Sequence, residues 1–214
     1  MSDLQTIKFE TKRKNLFLRV APGHFATNNR HTNYYIDVVS QKSRLSEAKA
    51  VAEELATYYY ADTKVDTVLC LDGTEVIGAC LANFLTKSDN IVNMNMHKSI
   101  YVVSPEYTNS NQILFRDNIA PMIKGKNVMI LAVSVSSGKT VLAAVDAVRY
   151  YGGNISGISS IFSTEETCIG YPVHSVFNPK DLEGYGVWRP HECPFCKQGQ
   201  KLDALINSHG YSKL

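Results

Sequence analysis

Apolar and polar residues alternate at the start of the chain through Ile7, Phe9, Leu16, Leu18 and Val20. This predicts an N-terminal strand or hairpin, with Pro22-Gly23 as the turn after it. Tyr34 to Val39 has the aromatic and β-branched make-up of a further strand. The period then changes. Leu45, Ala48, Val51, Ala52, Leu55 and Tyr58 recur at helical spacing, and Ser43 stands where an N-cap is wanted.

Further along, a strand–loop–helix unit occurs twice. Val65 to Leu71 reads as a strand, Asp72-Gly73-Thr74 as a turn and Glu75 to Leu85 as a helix. Asn127 to Val133 is a second apolar strand, followed by the loop Ser134–Gly138 and a helix from Thr140 to Tyr150 that ends at Gly152-Gly153. Ile155 to Phe162 and Val173 to Phe177 predict two more strands. Ile91–Met96 and Ser99–Val103 read as extended segments, Pro105–Asn118 as a long polar loop, and Lys201–Ser208 as a short helix. The order argues for an α/β fold, a mainly parallel sheet with helices on both faces. In such sheets ligands bind at the carboxyl ends of the strands, where the two loops sit.

Composition narrows the picture only slightly. The 214 residues, 44% hydrophobic and 20% charged, fit a single large domain with a substantial core. A net charge of +2 with no local basic stripe argues against nucleic acid as a partner. There is no apolar run of membrane-spanning length and no signal-peptide pattern at Met1–Glu10, so no membrane partner is expected. Five scattered cysteines point to a reducing cytoplasm rather than a disulfide scaffold.

The chemistry concentrates in Ser134-Val135-Ser136-Ser137-Gly138-Lys139-Thr140. Small residues between an apolar strand and an amphipathic helix let backbone N–H groups converge, and the helix dipole and hydroxyls add to them. This suits a phosphate monoester. The plainer alternative is a serine-rich turn with Thr140 as an ordinary N-cap. A nucleotide-triphosphatase P-loop is excluded, because the required glycine five residues before Gly138 is Val133.

Strand and loop together resemble the type I phosphoribosyltransferases, in which an apolar strand leads through two adjacent acids into a Thr/Ser-Gly loop. Leu71 to Gly78 sits where that family has its pyrophosphate loop. Phe25-Ala26-Thr27-Asn28-Asn29-Arg30-His31-Thr32-Asn33-Tyr34-Tyr35-Ile36-Asp37 is similar to a segment of the orotate branch, and Cys193–Gly199 is similar to the tails of some bacterial members. The resemblance implies one phosphoribosyltransferase domain over residues 1–214, with a hood from 1–40 and 185–214. It also implies transfer of phosphoribose from phosphoribosyl pyrophosphate (PRPP), with Mg²⁺, to a nitrogenous base, nominally orotate in pyrimidine nucleotide biosynthesis. Ser134–Thr140 would hold the 5′-phosphate, Asp72, Gly73, Thr74 and Glu75 the pyrophosphate, and Phe25, Asn28, Asn29 and Tyr34 the base. A homodimer is implied as well.

Three departures fall on chemically important positions. Ala132 and Val133 replace the acid pair that binds the ribose hydroxyls, where each charge-assisted hydrogen bond contributes about 1.5–3 kcal/mol. Ser104 to Gln112 holds no base where the family has a basic loop, although His97, Lys98 and Arg116 flank it. Ser163-Thr164 replaces an Asp-Arg pair, and Thr cannot clamp a carboxylate. Asp72 and Glu75 remain to organise Mg²⁺ or receive a cationic group, unless Glu75 is simply an acid favoured by a helix dipole. Two function classes therefore stand open: the transferase, and a non-catalytic regulatory protein binding PRPP or a nucleotide monophosphate.

Cys193 and Cys196, with His191 beside them, have the spacing of half a zinc site. His209, Cys168, His174 or a neighbouring subunit could complete four ligands; the alternative is a reduced pair that packs a tail. His24 and His31 flank the base segment, where either could touch a ligand, although a lone loop histidine is more often a surface residue. Tyr58-Tyr59-Tyr60 and Tyr150-Tyr151 read as core or subunit-contact aromatics.

Overall fold

The computed structural model of the chain describes residues 4–10, 16–87, 93–96, 99–110 and 112–214. These fall into two compact units. One is formed by Met1–Ser40 with Phe177–Leu214, the other by Gln41–Val176. The expected basic neighbours His97 and Lys98, and Ile91-Val92 of one expected extended segment, lie outside the described residues.

The chain opens with β1 (Ile7–Glu10), β2 (Phe17–Ala26) and β3 (His31–Asp37). β1 runs antiparallel to β2 with Ile7 opposite Val20. Pro22-Gly23 is not the turn that its composition predicts. Pro22 pairs with Tyr34 and Phe25 with Thr32, so β2 carries one extra residue and bulges there. A bulge tolerates the missing Pro22 N–H. It also needs a residue without a Cβ, which at Gly23 would lie 2.7 Å from Asp203 Oδ2. The reversal comes at Thr27–Arg30, where the Thr27 N–H donates to the Arg30 carbonyl at 2.8 Å.

After β3 come α1 (Val39–Ser43) and α2 (Leu45–Ala56). Arg44, not Ser43, occupies the N-cap of α2, because Ser43 is already the last residue of the preceding helix. Then follow β4 (Thr67–Cys70), α3 (Glu75–Thr86) and β5 (Tyr101–Val103). Met94–Met96 is a turn rather than extended chain. Buried Asn95 fixes it by accepting from the Val65 N–H at 2.9 Å and donating to the Thr63 carbonyl at 2.8 Å. The long polar loop folds into a small antiparallel hairpin, β6 (Glu106–Tyr107) and β7 (Ile113–Leu114).

The core of this unit is completed by β8 (Asn127–Val135), α4 (Lys139–Tyr150), β9 (Asn154–Ser163), β10 (Thr167–Cys168) and β11 (Tyr171–Phe177). The sheet order is β10-β11-β9-β8-β4-β5. The neighbours from β9 to β5 pair in parallel. Val128, Ile130 and Ala132 of β8 share a buried cluster with Val141, Ala144, Val145 and Val148 of α4. On the opposite face Gly78 brings α3 against Cys70 of β4, and α2 packs along α3. Helices thus cover both faces, as the α/β reading requires.

The tail returns to the first unit with β12 (Val187–Trp188), α5 (Pro194–Lys197), β13 (Ala204–Asn207) and β14 (Gly210–Lys213). The helix expected at Lys201–Ser208 is instead strand β13, parallel to β2 and antiparallel to β14. Its burial alternates, with Ala204 buried and Leu205 and Asn207 exposed, and that period of two belongs to a strand. Gly210, at φ +138°, allows the reversal into β14.

The α3–β4 contact gives a direct test. A Cβ on Gly78 would collide with Cys70 Sγ and lie 3.2 Å from Val102 Cγ1. Gly78→Ala should destabilise the protein by about 1–3 kcal/mol in urea unfolding, the usual cost of overpacking. In the double variant Gly78→Ala/Cys70→Ala the two losses should fall short of their sum by at least about 0.5 kcal/mol. Strict additivity would mean that the two residues do not meet.

Candidate functional site

Two loops lie side by side at the carboxyl edge of the parallel sheet. β4 and β8 are neighbours with Cys70 opposite Leu131, and the Leu71 N–H donates to the Leu131 carbonyl at 2.8 Å. Buried Thr74 ties the strand ends together, its hydroxyl 3.0 Å from the Leu71 carbonyl and 3.1 Å from that of Leu131. Thr74 therefore offers a loop ligand its backbone, not its side chain.

The loop after β8 is shorter than the sequence suggests. Ser134 and Val135 belong to the strand, Ser136-Ser137-Gly138 make the turn, and α4 starts at Lys139. Gly138 is the N-cap in a left-handed conformation, φ 69°, and makes no side-chain cap. Thr140 sits inside the first turn, which removes its reading as an ordinary N-cap. The first-turn N–H groups are thus left without a side-chain acceptor on the cap residue, the arrangement that favours an anion. Ser134, Ser137, Lys139 and Thr140 are exposed, Ser136 is half-buried and Val135 is buried. From beneath, the Thr164 N–H donates to the Val135 carbonyl at 2.9 Å and the Ser163 hydroxyl to the same oxygen at 3.2 Å. Ser163 and Thr164, which stand where a carboxylate clamp was sought, thus serve as struts for this loop. Ala132 and Val133 are 1% and 2% exposed, embedded in apolar packing.

In the loop after β4, Asp72 and Gly73 both have positive φ, 56° and 83°. The backbone there turns sharply, and Lys42 holds it: its Nζ donates to the Asp72 carbonyl at 2.8 Å. Lys42 is buried on α1, and a Cβ at Gly73 would lie 3.4 Å from its Nζ. Nothing in the local sequence marks this lysine, which stands 30 residues from its partner in the chain. Glu75 accepts from the Ser104 hydroxyl at 2.6 Å. Tyr107, on the hairpin, has its phenol pushed above the ordinary range by burial and secondarily by the charge of Asp72.

Arg116, the nearest described base to the hairpin, is engaged by the hairpin's own acid, with Nη2 2.8 Å and Nε 2.9 Å from Glu106 Oε2. That hydrogen bond, with the Arg116 charge behind it, holds the Glu106 carboxyl below the usual range.

The residues read as a base site belong to the other unit. Phe25 is fully buried in an apolar cluster with Ala21, Tyr35 and Ala204. Asn28 and Asn29 are exposed in the β2–β3 turn, and Asn28 lines an open cleft with Asn207 and Tyr211. Tyr34 stacks on Tyr185 with centroids 6.5 Å apart. In the same unit Cys193 and Cys196 gather with His24 and His31, none of whose ligand atoms is more than 4.8 Å from another. The expected completing ligands are elsewhere. His191 faces Glu192 at 3.5 Å, His209 sits in the β13–β14 turn, Cys168 lies against Gly138, and His174 stacks on Tyr58 at 4.4 Å. His24 and His31 were missed because, in sequence, they read as loop histidines. The β2 bulge and the first position of β3 turn both inward.

This arrangement of strands and loops is the type I phosphoribosyltransferase fold. At low identity, the sequence is similar to that of orotate phosphoribosyltransferase from Chlorobium phaeobacteroides, 22% identical over 186 residues that cover 85% of this chain and 86% of that one. Among solved structures, orotate phosphoribosyltransferase of Mycobacterium tuberculosis H37Rv in complex with Fe(III) dicitrate matches with a TM-score of 0.52 at 18% identity, over 78% of this chain and 93% of its own. Leishmania donovani UMP synthase matches with a TM-score of 0.50 at 19% identity over 71% of this chain, which spans only 31% of that larger protein. No protein-family model matches the sequence. Among the described residues no helix is long and apolar enough to cross a membrane.

The Glu106–Arg116 pair can be checked by titration. With Arg116 favouring the ionised form, Glu106 should titrate below its ordinary value. Its contribution to stability should be present at neutral pH and lost as pH falls through that lowered pKa. In Arg116→Gln the carboxyl resonance should titrate at the usual glutamate position. An unchanged midpoint in that variant would show that the pair is not formed in solution.

Proposed function

We propose that this protein binds PRPP through the two loops that follow β4 and β8 and transfers its phosphoribosyl group to a nitrogenous base. The observation that carries this reading is the pairing of those loops on adjacent parallel strands. One ends in an αL glycine with no side-chain cap, and the other in the Asp72-Gly73 turn braced by buried Lys42. The first suits a phosphate monoester. The second offers exposed Gly73 backbone and a nearby ammonium to a second anionic group.

In this reading Ser136, Ser137, Gly138 and the first-turn amides of α4 bind the 5′-phosphate, with the Thr140 hydroxyl beside them. Lys42 and the Asp72–Glu75 backbone receive pyrophosphate as the bond from the ribose C1 to its oxygen breaks. The base nitrogen forms the new bond to C1 and gives up its proton. Asp72 and Glu75 supply the oxygen donors that suit Mg²⁺, which would add positive charge near the leaving pyrophosphate. With apolar residues at 132 and 133, the ribose hydroxyls lose two charged acceptors, so turnover should be slow. Orotate is the nominal acceptor by resemblance. Ser163 and Thr164, already engaged with the Val135 and Ser136 carbonyls, supply no cation for its carboxylate, so a base without a carboxylate should be preferred. The resemblance also leads us to expect a cytoplasmic homodimer, which sedimentation of the purified protein would test.

Calorimetric titration with PRPP and Mg²⁺, followed by pyrophosphate release with a panel of bases, tests the proposal. Lys42→Met should weaken PRPP binding about tenfold or more, the loss expected for a hydrogen bond to a charged group. It should leave ribose 5-phosphate binding within about twofold. Gly138→Val should weaken both ligands, since the αL cap and the Cys168 sulfur 2.9 Å from a Cβ leave no room for a side chain. Absence of PRPP binding to the unaltered protein would overturn the reading. Binding without pyrophosphate release from any base would reject the transfer step alone.

A further inference from the structure

His24, His31, Cys193 and Cys196 come from opposite ends of the sequence, yet each turns one ligand atom to a common centre. His24 Nε2 lies 3.1 Å from His31 Nδ1, 3.4 Å from Cys193 Sγ and 3.7 Å from Cys196 Sγ. Cys196 Sγ lies 3.3 Å from His31 Nδ1. A tetrahedral zinc ion with ordinary Zn–N and Zn–S bonds sets the edges of its ligand tetrahedron at about 3.3 Å for N···N and about 3.6 Å for N···S. These four distances fall within about 0.3 Å of those values. Protons alone explain the cluster less well. With His24 Nε2 unprotonated, three hydrogens, one on His31 Nδ1 and one on each sulfur, are all that these four approaches could share.

The surroundings orient the ligands. His24 Nδ1 lies 3.1 Å from the Gln200 carbonyl and 3.2 Å from that of Lys201. Both oxygens only accept, so Nδ1 carries the proton and Nε2 presents its lone pair to the centre. A ring N–H held by a backbone carbonyl is the usual outer support of a metal-bound histidine. The β2 bulge aims this side chain, and the His24 N–H is anchored on Asp203 Oδ2 at 2.8 Å. The imidazole also stacks on Phe195, centroids 5.2 Å apart, between the two cysteines. Cys193 is the N-cap and Cys196 the third residue of the single-turn helix α5, which brings both sulfurs to one side, and Gly199 at φ +73° follows it. Two thiolates and two neutral imidazoles around a divalent ion make an electrically neutral centre, and His24 and Cys193 are both 0% exposed.

We propose that these four residues bind one Zn²⁺ as a closed structural site that clasps the tail to β2 and β3. Four protein ligands leave no open position for substrate, and mixed imidazole–thiolate donors in a tetrahedron select zinc among abundant divalent ions. The proposal does not depend on the phosphoribosyl reading.

The test uses untagged full-length protein purified under reducing conditions without chelator. Elemental analysis should give about one zinc per chain, and X-ray absorption should give a first shell of two sulfurs and two nitrogens. Cys196→Ser, at the exposed ligand, should bind zinc at least tenfold more weakly, while His191→Ala should keep full stoichiometry. Strong chelation should lower the thermal midpoint of the unaltered protein and leave that of Cys193→Ser/Cys196→Ser unmoved. The proposal is overturned if purified protein holds no zinc and takes up none when Zn²⁺ is added to reduced thiols. It is equally overturned by a first shell without sulfur, or by undiminished binding in Cys193→Ser/Cys196→Ser.

Discussion

Parallel pairing of β4 with β8 is the constraint from which the candidate chemistry follows. Parallel strands deliver every strand-to-helix loop to the same edge of the sheet, and adjacent strands stand only about 4.8 Å apart. The loop after β4 and the loop after β8 are thus brought together at one edge. The pairing is enforced by packing on both sides. Val68 and Cys70 face α3, while Leu69 and Leu71 share the cluster under α4. Thr74 then ties the two strand ends together with a hydroxyl that could otherwise have faced a ligand.

Much of this half of the molecule was legible because strand and helix periods are strong where burial is complete. β8 and α4 fall within a few residues of their predicted limits. What the pattern could not carry were interactions between residues distant in sequence. Lys42 looks like one more helix lysine until the fold lays it under Asp72. Pro22-Gly23 has turn composition, but only the neighbouring strand turns it into a bulge. Lys201–Ser208 was misread because so short a segment has too few apolar positions to distinguish a period of two from one of 3.6. Ser134–Thr140 does form the expected strand-to-helix turn, yet which residues belong to strand, turn and helix depends on one glycine's dihedral angle.

The histidine–cysteine cluster shows the same limit from the other direction. Cys193 and Cys196 announce themselves by spacing, and their spacing says nothing about where the remaining ligands lie. Proximity in sequence favoured His191, but that side chain points to Glu192 and solvent. The ligands that do converge are set by strand geometry, one at a bulge and one at the first residue of β3.

The parallel pairing of β13 with β2 also constrains how the protein is made. On the edge of β2 away from β3, Phe25 and Ala26 pair with Ala204 and Leu205. A ribosome has to deliver the chain through Leu205 before that edge can close. The sheet of Gln41–Val176, built from pairings wholly inside its own span, can form earlier. During that interval the far edge of β2 beside Phe25 is an unpaired strand end, the kind of surface on which nascent chains associate wrongly. Chaperone demand and sensitivity to premature termination should therefore concentrate on this early strand and not on the self-contained sheet.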